Sequence, residues 1–295
     1  MAQEYVKEYK YPWTRETPGC LEWDHRKSLI ADKLLDEETK TDIVCLQEVQ
    51  VDLFSDLLTS LSPVFDGVIQ NVTSGHNVGT AVLVRNSCNM KIKRVESRSR
   101  ALIATLENEE NEKKIYICSV HLNADKSQDP KKREYHQKQR QCQLKSLLKR
   151  INYACKLDKQ IINEAHILVA GDFNMLRENP LHELLTEGNV SPSAQVSLHD
   201  AYFEAERHNR HSIPVYHQSS SEEGNSIEEK SKSDQHLVKT YKGGAILDYI
   251  WTSEKVKVVD TLLYHPSAST VGTEKWPCDD HPSDHLPIGI DIEWN

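Results

Sequence analysis

Apolar runs of strand length recur along the chain in a form that leaves few folds open. "GTAVLVR", "ALIATLE", "KIYICSVHL" and "HILVAGDFN" are apolar on successive residues rather than on alternate ones. A strand with two apolar faces must be covered on both, which places it in the middle of a layered structure. "DIVCLQEV", "AILDYIW", "VKVVDTLLYH" and "IGIDIEW" extend the series. Helical spacing alternates with these runs. "DHRKSLIADKLLDE" sets Leu29, Ile30 and Leu34 at helical intervals, "VDLFSDLLTSL" repeats the pattern, and "REYHQKQRQCQLKSLLKRINYACKL" is the longest predicted helix. Another begins at "NPLHELLTEG", with Pro180 in the first turn and Gly188 beyond the end. Strands and helices interleaved along the whole length predict an α/β class and one domain over residues 1–295.

Composition narrows the setting. The chain is 38% hydrophobic and 27% charged, as in soluble globular proteins. No apolar run approaches the roughly 20 residues that span a bilayer, and the opening "MAQEYVKEYK" lacks the regions of a secretory signal, so a soluble protein is expected, cytoplasmic or alternatively nuclear. Seven cysteines are scattered without a close pair, which predicts reduced thiols and neither a disulfide framework nor a zinc knuckle. A net charge of -9 disfavours nonspecific binding to a polyanion. One stretch, "KSQDPKKREYHQKQRQCQLKSLLKR", is basic and suits either a solvated helix face or a phosphate backbone. "HQSSSEEGNSIEEKSKSDQH", residues 217–236, has almost no apolar residue and is predicted to be a disordered loop.

Polar residues collect at the carboxyl ends of the predicted strands. "DIVCLQEV" ends in Gln47 and Glu48, "KIYICSVHLN" in His121 and Asn123, and "HILVAGDFN" in Asp172 and Asn174; Asp248 opens "DYIW", and the proline-pinned loop "HPSDHLP" supplies Asp284 and His285. Strand ends are where α/β folds gather their sites. Singly, each residue has an ordinary reading: His121 as a core histidine, Asp172 as a turn residue. Five segments delivering such groups together point to one site. Glu48 and Asp284 offer hard oxygen ligands for Mg²⁺, or Mn²⁺, and the scattered His and Cys argue against zinc or copper. Phosphate-binding glycine loops and the G-x-S-x-G elbow are missing from the sequence. Metal-assisted attack of water on a phosphoester is the reaction class that uses these groups together.

"LQEV", "SVHLN", "GDFN", "LDYIW" and "SDHLP", in this order, resemble the endonuclease/exonuclease/phosphatase superfamily from Trp23 to the last strand. "LEWDHRKSLI", the R-x-x-Q pair Arg140 and Gln143, and "NPLHELLTEGNV" resemble its carbon-catabolite-repressor, Angel and nocturnin branch of deadenylase-like enzymes. The resemblance implies a four-layer α/β sandwich of two packed mixed β-sheets flanked by helices. By the same resemblance Glu48 is the principal Mg²⁺ ligand and Asp284 a further metal-side carboxylate. Asp172 and Asn174 orient the attacking water and the phosphate, His121 contacts phosphate, and Asp248 orients His285, the general base or the stabiliser of transition-state charge. The sequence departs from the family in three places. The first family strand and its terminal Asn have no counterpart ahead of "MAQEYV", Val78 stands where an acid usually precedes the glycine of "NVGTAV", and "MLRENP" follows "GDFN" in place of a small residue and proline. The expected activity is a Mg²⁺-dependent 3'-to-5' exoribonuclease that shortens poly(A), with RNA as partner. A nucleotide 2'-phosphatase or RNA 2',3'-cyclic phosphate phosphatase is the alternative within the fold, and a catalytically impaired RNA-binding or scaffold module the alternative outside enzymology.

Overall fold

The structure is a computed structural model that describes residues 2–8, 11, 14, 18–37, 40–72, 76–125, 127–188, 196–203, 240–241, 245–263 and 276–293. The loop expected at 217–236 lies outside them.

Six strands form the larger sheet, in the order β4 (Met90–Arg98), β5 (Ala101–Asn108), β6 (Lys114–His121), β7 (His166–Asp172), β9 (Asp248–Ser253) and β8 (Leu198–Asp200). Among the described strands only β6 and β7 run parallel, joined by a crossover through α4 (Pro130–Leu157). The consecutive apolar residues behave as expected: Ala101 to Leu106 and Ile115 to Val120 are buried throughout. They alternate between two cores. Ala101, Ile103, Tyr116, Cys118 and Val120 pack with Leu144, Leu148 and Ile151 of α4, while Leu102, Ala104, Leu106, Ile115 and Ile117 pack with Val82 and Val84 on the opposite face.

That opposite face belongs to a second layer, made of an antiparallel sheet in the order β1 (Ile43–Gln50), β3 (Val78–Arg85), β2 (Phe65–Ile69), and of an antiparallel pair, β10 (Lys257–Leu263) with β11 (Ile288–Glu293). Helices α2 (Trp23–Leu35) and α3 (Val51–Leu61) cover its outside through Phe54, Leu57, Leu61 and Leu83. Helix, sheet, sheet and helix make the four expected layers. Among the described residues only the larger sheet is mixed, and the second layer is in two pieces. Between them lies a cavity of about 660 Å³ lined by β1, by Gly289 to Ile292 of β11, by Trp23, Ile30 and Leu34, and by Ile115, Ile117, Leu168 and Ile250 of the larger sheet. Consistent with an open edge, every residue of β1 is only half-buried.

Three strands escaped the sequence patterns for separate reasons. β2 contains Asp66 and Gly67, and Gly67 is required because a Cβ there would lie 2.5 Å from Leu83 Cδ2. β4, "MKIKRVESR", has the alternation of a sheet border rather than an apolar run, and β8 has three residues. Conversely, "NPLHELLTEG" makes one 3-10 turn, Pro180–His182, and the four-residue α5 (Glu183–Thr186) instead of a full helix. Asn179 Oδ1 accepts from Leu181 N, 3.0 Å, and so caps the turn. No described helix is long and apolar enough to cross a membrane. All seven cysteines are free thiols, with Cys118 and Cys155 in the core.

Candidate active site

Strand register assembles the site. The parallel pairing of β6 and β7 sets His121 beside Asp172, and the antiparallel pairing of β7 and β9 sets Asp172 beside Asp248. His121 Nε2 lies 3.6 Å from Asp172 Oδ2 and 3.7 Å from Glu48 Oε1, which reaches in from β1. Glu48 is aimed by a bulge: the β1–β3 register shifts between Leu46 and Val49, and Glu48 itself takes a left-handed backbone, φ 53°. Gln47 Nε2, beside it, donates to Ser119 Oγ at 3.2 Å and ties the bulge to the larger sheet. Gly171 permits the close strand approach just before Asp172: its φ is 140°, and a Cβ there would meet Val120 O at 2.1 Å.

The loop after β7 bends back at once. Asn174, also left-handed at φ 50°, donates from its backbone N to Asp172 Oδ1, 2.7 Å, and from Nδ2 to Asp172 Oδ2 and Leu122 O, 3.0 and 2.9 Å. The "SDHLP" loop delivers His285, whose Nδ1 lies 2.8 Å from Asp248 Oδ2 and whose ring sits against Tyr241, centroids 4.9 Å apart. His281 Nε2 donates to the His285 carbonyl at 2.8 Å. Asp284 acts on the same surroundings as Glu48: burial first, and then the charges of Asp284 and Glu48, push the Tyr11 phenol well above its ordinary range.

These placements set the charge states. Burial disfavours the His285 cation, but the Asp248 carboxylate, aided by Asp172 and Asp284, outweighs it and raises the imidazole to about 9. His121 goes the other way: burial lowers it to about 4 against the pull of Glu48, so it is a neutral imidazole between carboxylates. Asp172 is raised, by burial and then by Asp248, with His285 opposing. One cationic imidazole and one carboxyl disposed to hold a proton therefore face the same space.

Glu48, His121, Asp172, Asn174, Asp248 and His285 meet in this way, and Asp284 joins them through its field. Among the described residues, no three His, Cys, Asp or Glu side chains converge as a metal cage. One or two carboxylates without a cage are what Mg²⁺ uses, since it keeps several waters and leans on substrate phosphate. Glu48 and Asp284 carry oxygen donors of the kind such an ion takes. Asn123, a strand-end candidate, is gripped through its backbone instead: its carbonyl accepts from Arg140 Nη1, 3.0 Å, and its N–H donates to Gln143 Oε1, 3.2 Å. The R-x-x-Q pair thus holds the strand end. Beside Asn174 a second cavity, about 540 Å³, opens toward the start of α4, with Gln128, Arg133 and Arg140 among its lining residues.

Arg26, Tyr11, Tyr241 and two histidines are the residues that the sequence concealed. Arg26 is buried, donating from Nε to Pro282 O and from Nη1 to Gln3 Oε1, at 2.8 and 2.9 Å, in the field of Asp284 and Glu48. Its neighbours in "DHRK" are polar, which masks it as a solvated position. His182 and His281 carry no mark of burial in their local sequence, and both are buried. Tyr249 and Trp251, which pack against His182, come from a distant segment, and Trp276 packs against His281 from nearby in the chain.

No family model matches the chain. Mouse 2',5'-phosphodiesterase 12 is 23% identical over 99% of this chain and 49% of its own length, and human nocturnin is 25% identical over 93% and 59%. The chain thus spans about half the length of the first and three-fifths of the second. Among solved structures, ANGEL2, a 2',3'-cyclic phosphatase in complex with adenosine-2',3'-vanadate, superposes with a TM-score of 0.70 at 18% identity over 99% of this chain and 92% of that one. The human nocturnin catalytic domain with bound sulfate gives 0.60 at 23% over 93% and 88%. Sequence matches along nearly the whole chain and superposition over more than nine-tenths of it agree: the chain has the endonuclease/exonuclease/phosphatase fold and is similar in sequence to nocturnin, 2',5'-phosphodiesterase 12 and a carbon catabolite repressor protein 4 homolog.

Proposed function

We propose that the chain is a Mg²⁺-dependent phosphodiester hydrolase acting on RNA, as a 3'-to-5' exoribonuclease of the deadenylase kind. The observation that carries this reading is the Asp248–His285 contact of 2.8 Å, set beside the register-paired Asp172. When bound at Glu48 and Asp284, the metal supplies Lewis-acid polarisation of the phosphoryl group. The remaining work falls to the chain itself. Asp248 holds His285 in one orientation and charged, so that Nε2–H faces the site and donates to a phosphoryl oxygen as charge grows there. Asp172, with its raised affinity for a proton, accepts one from the attacking water. Asn174, donating to Asp172 Oδ2 and Leu122 O, holds the Asp172 carboxyl toward the attacking water, and neutral His121 donates a hydrogen bond to the phosphate without adding a charge. The cavity beside Asn174, with Arg133 and Arg140 at its wall, has room for the adjoining nucleotide.

A second reading is hydrolysis of RNA 2',3'-cyclic phosphate ends or of a nucleotide 2'-phosphate. The likeness to ANGEL2, at a TM-score of 0.70, favours it. Products separate the two. Mononucleotides released from poly(A) RNA support the exoribonuclease, and loss of the terminal phosphate with an intact chain supports the phosphatase. Purified protein with Mg²⁺ that yields neither product from poly(A), mixed RNA, cyclic-ended RNA or 2'-phosphorylated nucleotides would rule out both.

A further inference from the structure

The loop that carries Asn174 is gripped from beneath by two side chains outside the site. Directly after Asn174, the Met175 carbonyl accepts from the Tyr249 hydroxyl, 3.0 Å, and the Leu176 carbonyl from His182 Nε2, 3.1 Å. Both donors are anchored. Tyr249 follows Asp248 in β9 and is 1% exposed; its hydroxyl also lies 3.1 Å from the Ile246 carbonyl. The His182 ring stacks on Trp251 at 5.4 Å and 20°, packs against Tyr249 at 4.8 Å, and Phe173 meets Tyr249 edge-on at 5.6 Å.

The chemistry of the contact fixes the tautomer. A backbone carbonyl only accepts, so His182 must carry its proton on Nε2. Nδ1, buried and without a partner among the described residues, is then a bare lone pair rather than a stranded N–H, the cheaper of the two defects. Burial, which lowers this imidazole to about 4, keeps it neutral. Asn174 takes a left-handed backbone at φ 50°, which Asn adopts more readily than most residues, and the carbonyls of the two residues that follow fix where that turn leads.

We propose that His182 and Tyr249 are positioning residues for Asn174, acting through the Leu176 and Met175 carbonyls to set the angle at which the Asn174 amide enters the site. The proposal rests on the functional reading above for its kinetic consequence, but not for its structural one. His182→Leu removes the donor at similar volume, and His182→Gln returns an N–H near the same place. His182→Leu is expected to lower kcat about tenfold with KM within twofold, and His182→Gln to restore it to within threefold. In protein labelled with ¹⁵N-asparagine, the Asn174 side-chain amide signals should move in His182→Leu and return in His182→Gln. These spectra need no substrate, so a wild-type protein without turnover would count against the function and leave the positioning test intact. Unmoved Asn174 signals in His182→Leu overturn the proposal, as does an equal kcat loss in the Leu and Gln variants. Should His182→Leu not fold, Tyr249→Phe removes one hydroxyl and takes its place: shifted Asn174 signals support the positioning role, and unmoved ones overturn it.

Discussion

Asp248→Asn exchanges a carboxylate for an amide of the same shape at 2.8 Å from His285 Nδ1. Asn can still accept the hydrogen bond, so geometry survives while charge is lost. The rise of His285 from 6.5 to about 9 corresponds to about 3 kcal/mol at roughly 1.4 kcal/mol per pK unit, or above a hundredfold in the balance between imidazole and imidazolium. That figure is net of burial, which opposes it, so the carboxylate itself contributes more. With Asp248 neutralised, His285 should titrate at or below its ordinary 6.5, because burial then acts with only Asp172 and Asp284 in opposition. Two assays read this. Imidazole NMR titration of metal-free protein gives the pKa directly, and turnover at neutral pH should fall about a hundredfold to a thousandfold. Stability carries the same signature. A group whose folded pKa is raised stabilises fully below its unfolded value and loses that contribution as pH rises, here between about 6.5 and 9. Wild type should lose about 3 kcal/mol across that window relative to Asp248→Asn. If His285 in the folded variant titrates as in wild type, the electrostatic explanation of the pair is wrong.

Two further expectations concern the scaffold. Asp158 receives Arg94 Nη2 at 2.7 Å, Lys114 Nζ at 3.1 Å and Tyr116 OH at 3.0 Å, and these outweigh burial to hold its carboxyl below 3.8. Asp158→Asn should therefore cost about 3 kcal/mol by denaturant unfolding at pH 7. A depressed carboxylate stabilises above its unfolded pKa, so the difference should shrink as pH falls through and below about 4, and a cost independent of pH would contradict the assignment. Gly171→Ala forces a Cβ onto Val120 O at φ 140°. It should destabilise by about 2 kcal/mol or more and displace the adjacent Asp172, lowering turnover by at least about tenfold; wild-type stability would mean that the strands can separate there without cost.

The layered core was legible because its strands are covered on both faces. Runs such as "ALIATLE" and "KIYICSVHL" admit no solvated face, and their register with β7 and β9 then fixes which strand-end residues meet. β4 escaped because a strand at the sheet border carries Lys91, Lys93 and Glu96 among its apolar residues, and β2 because Gly67 serves a contact with Leu83 rather than a local preference. At the site, groups that face the cleft ended apolar runs and so stood out. The groups that hold them did not. Arg26 donates from Nε to the carbonyl of Pro282 in the "HPSDHLP" loop, 256 residues later in the chain. His182 is enclosed by Trp251 and Tyr249 from β9. Burial created by a distant segment leaves no mark on local polarity.

Product analysis with poly(A) RNA and purified protein, comparing Mg²⁺, excess EDTA, and Glu48→Ala with Mg²⁺, puts the whole site to the test. Mononucleotide release that requires Mg²⁺ and falls at least about a hundredfold in a folded Glu48→Ala protein is the expected result. Release that continues in EDTA, or that Glu48→Ala leaves unchanged, would mean that the strand-end carboxylates and imidazoles are not where this protein works.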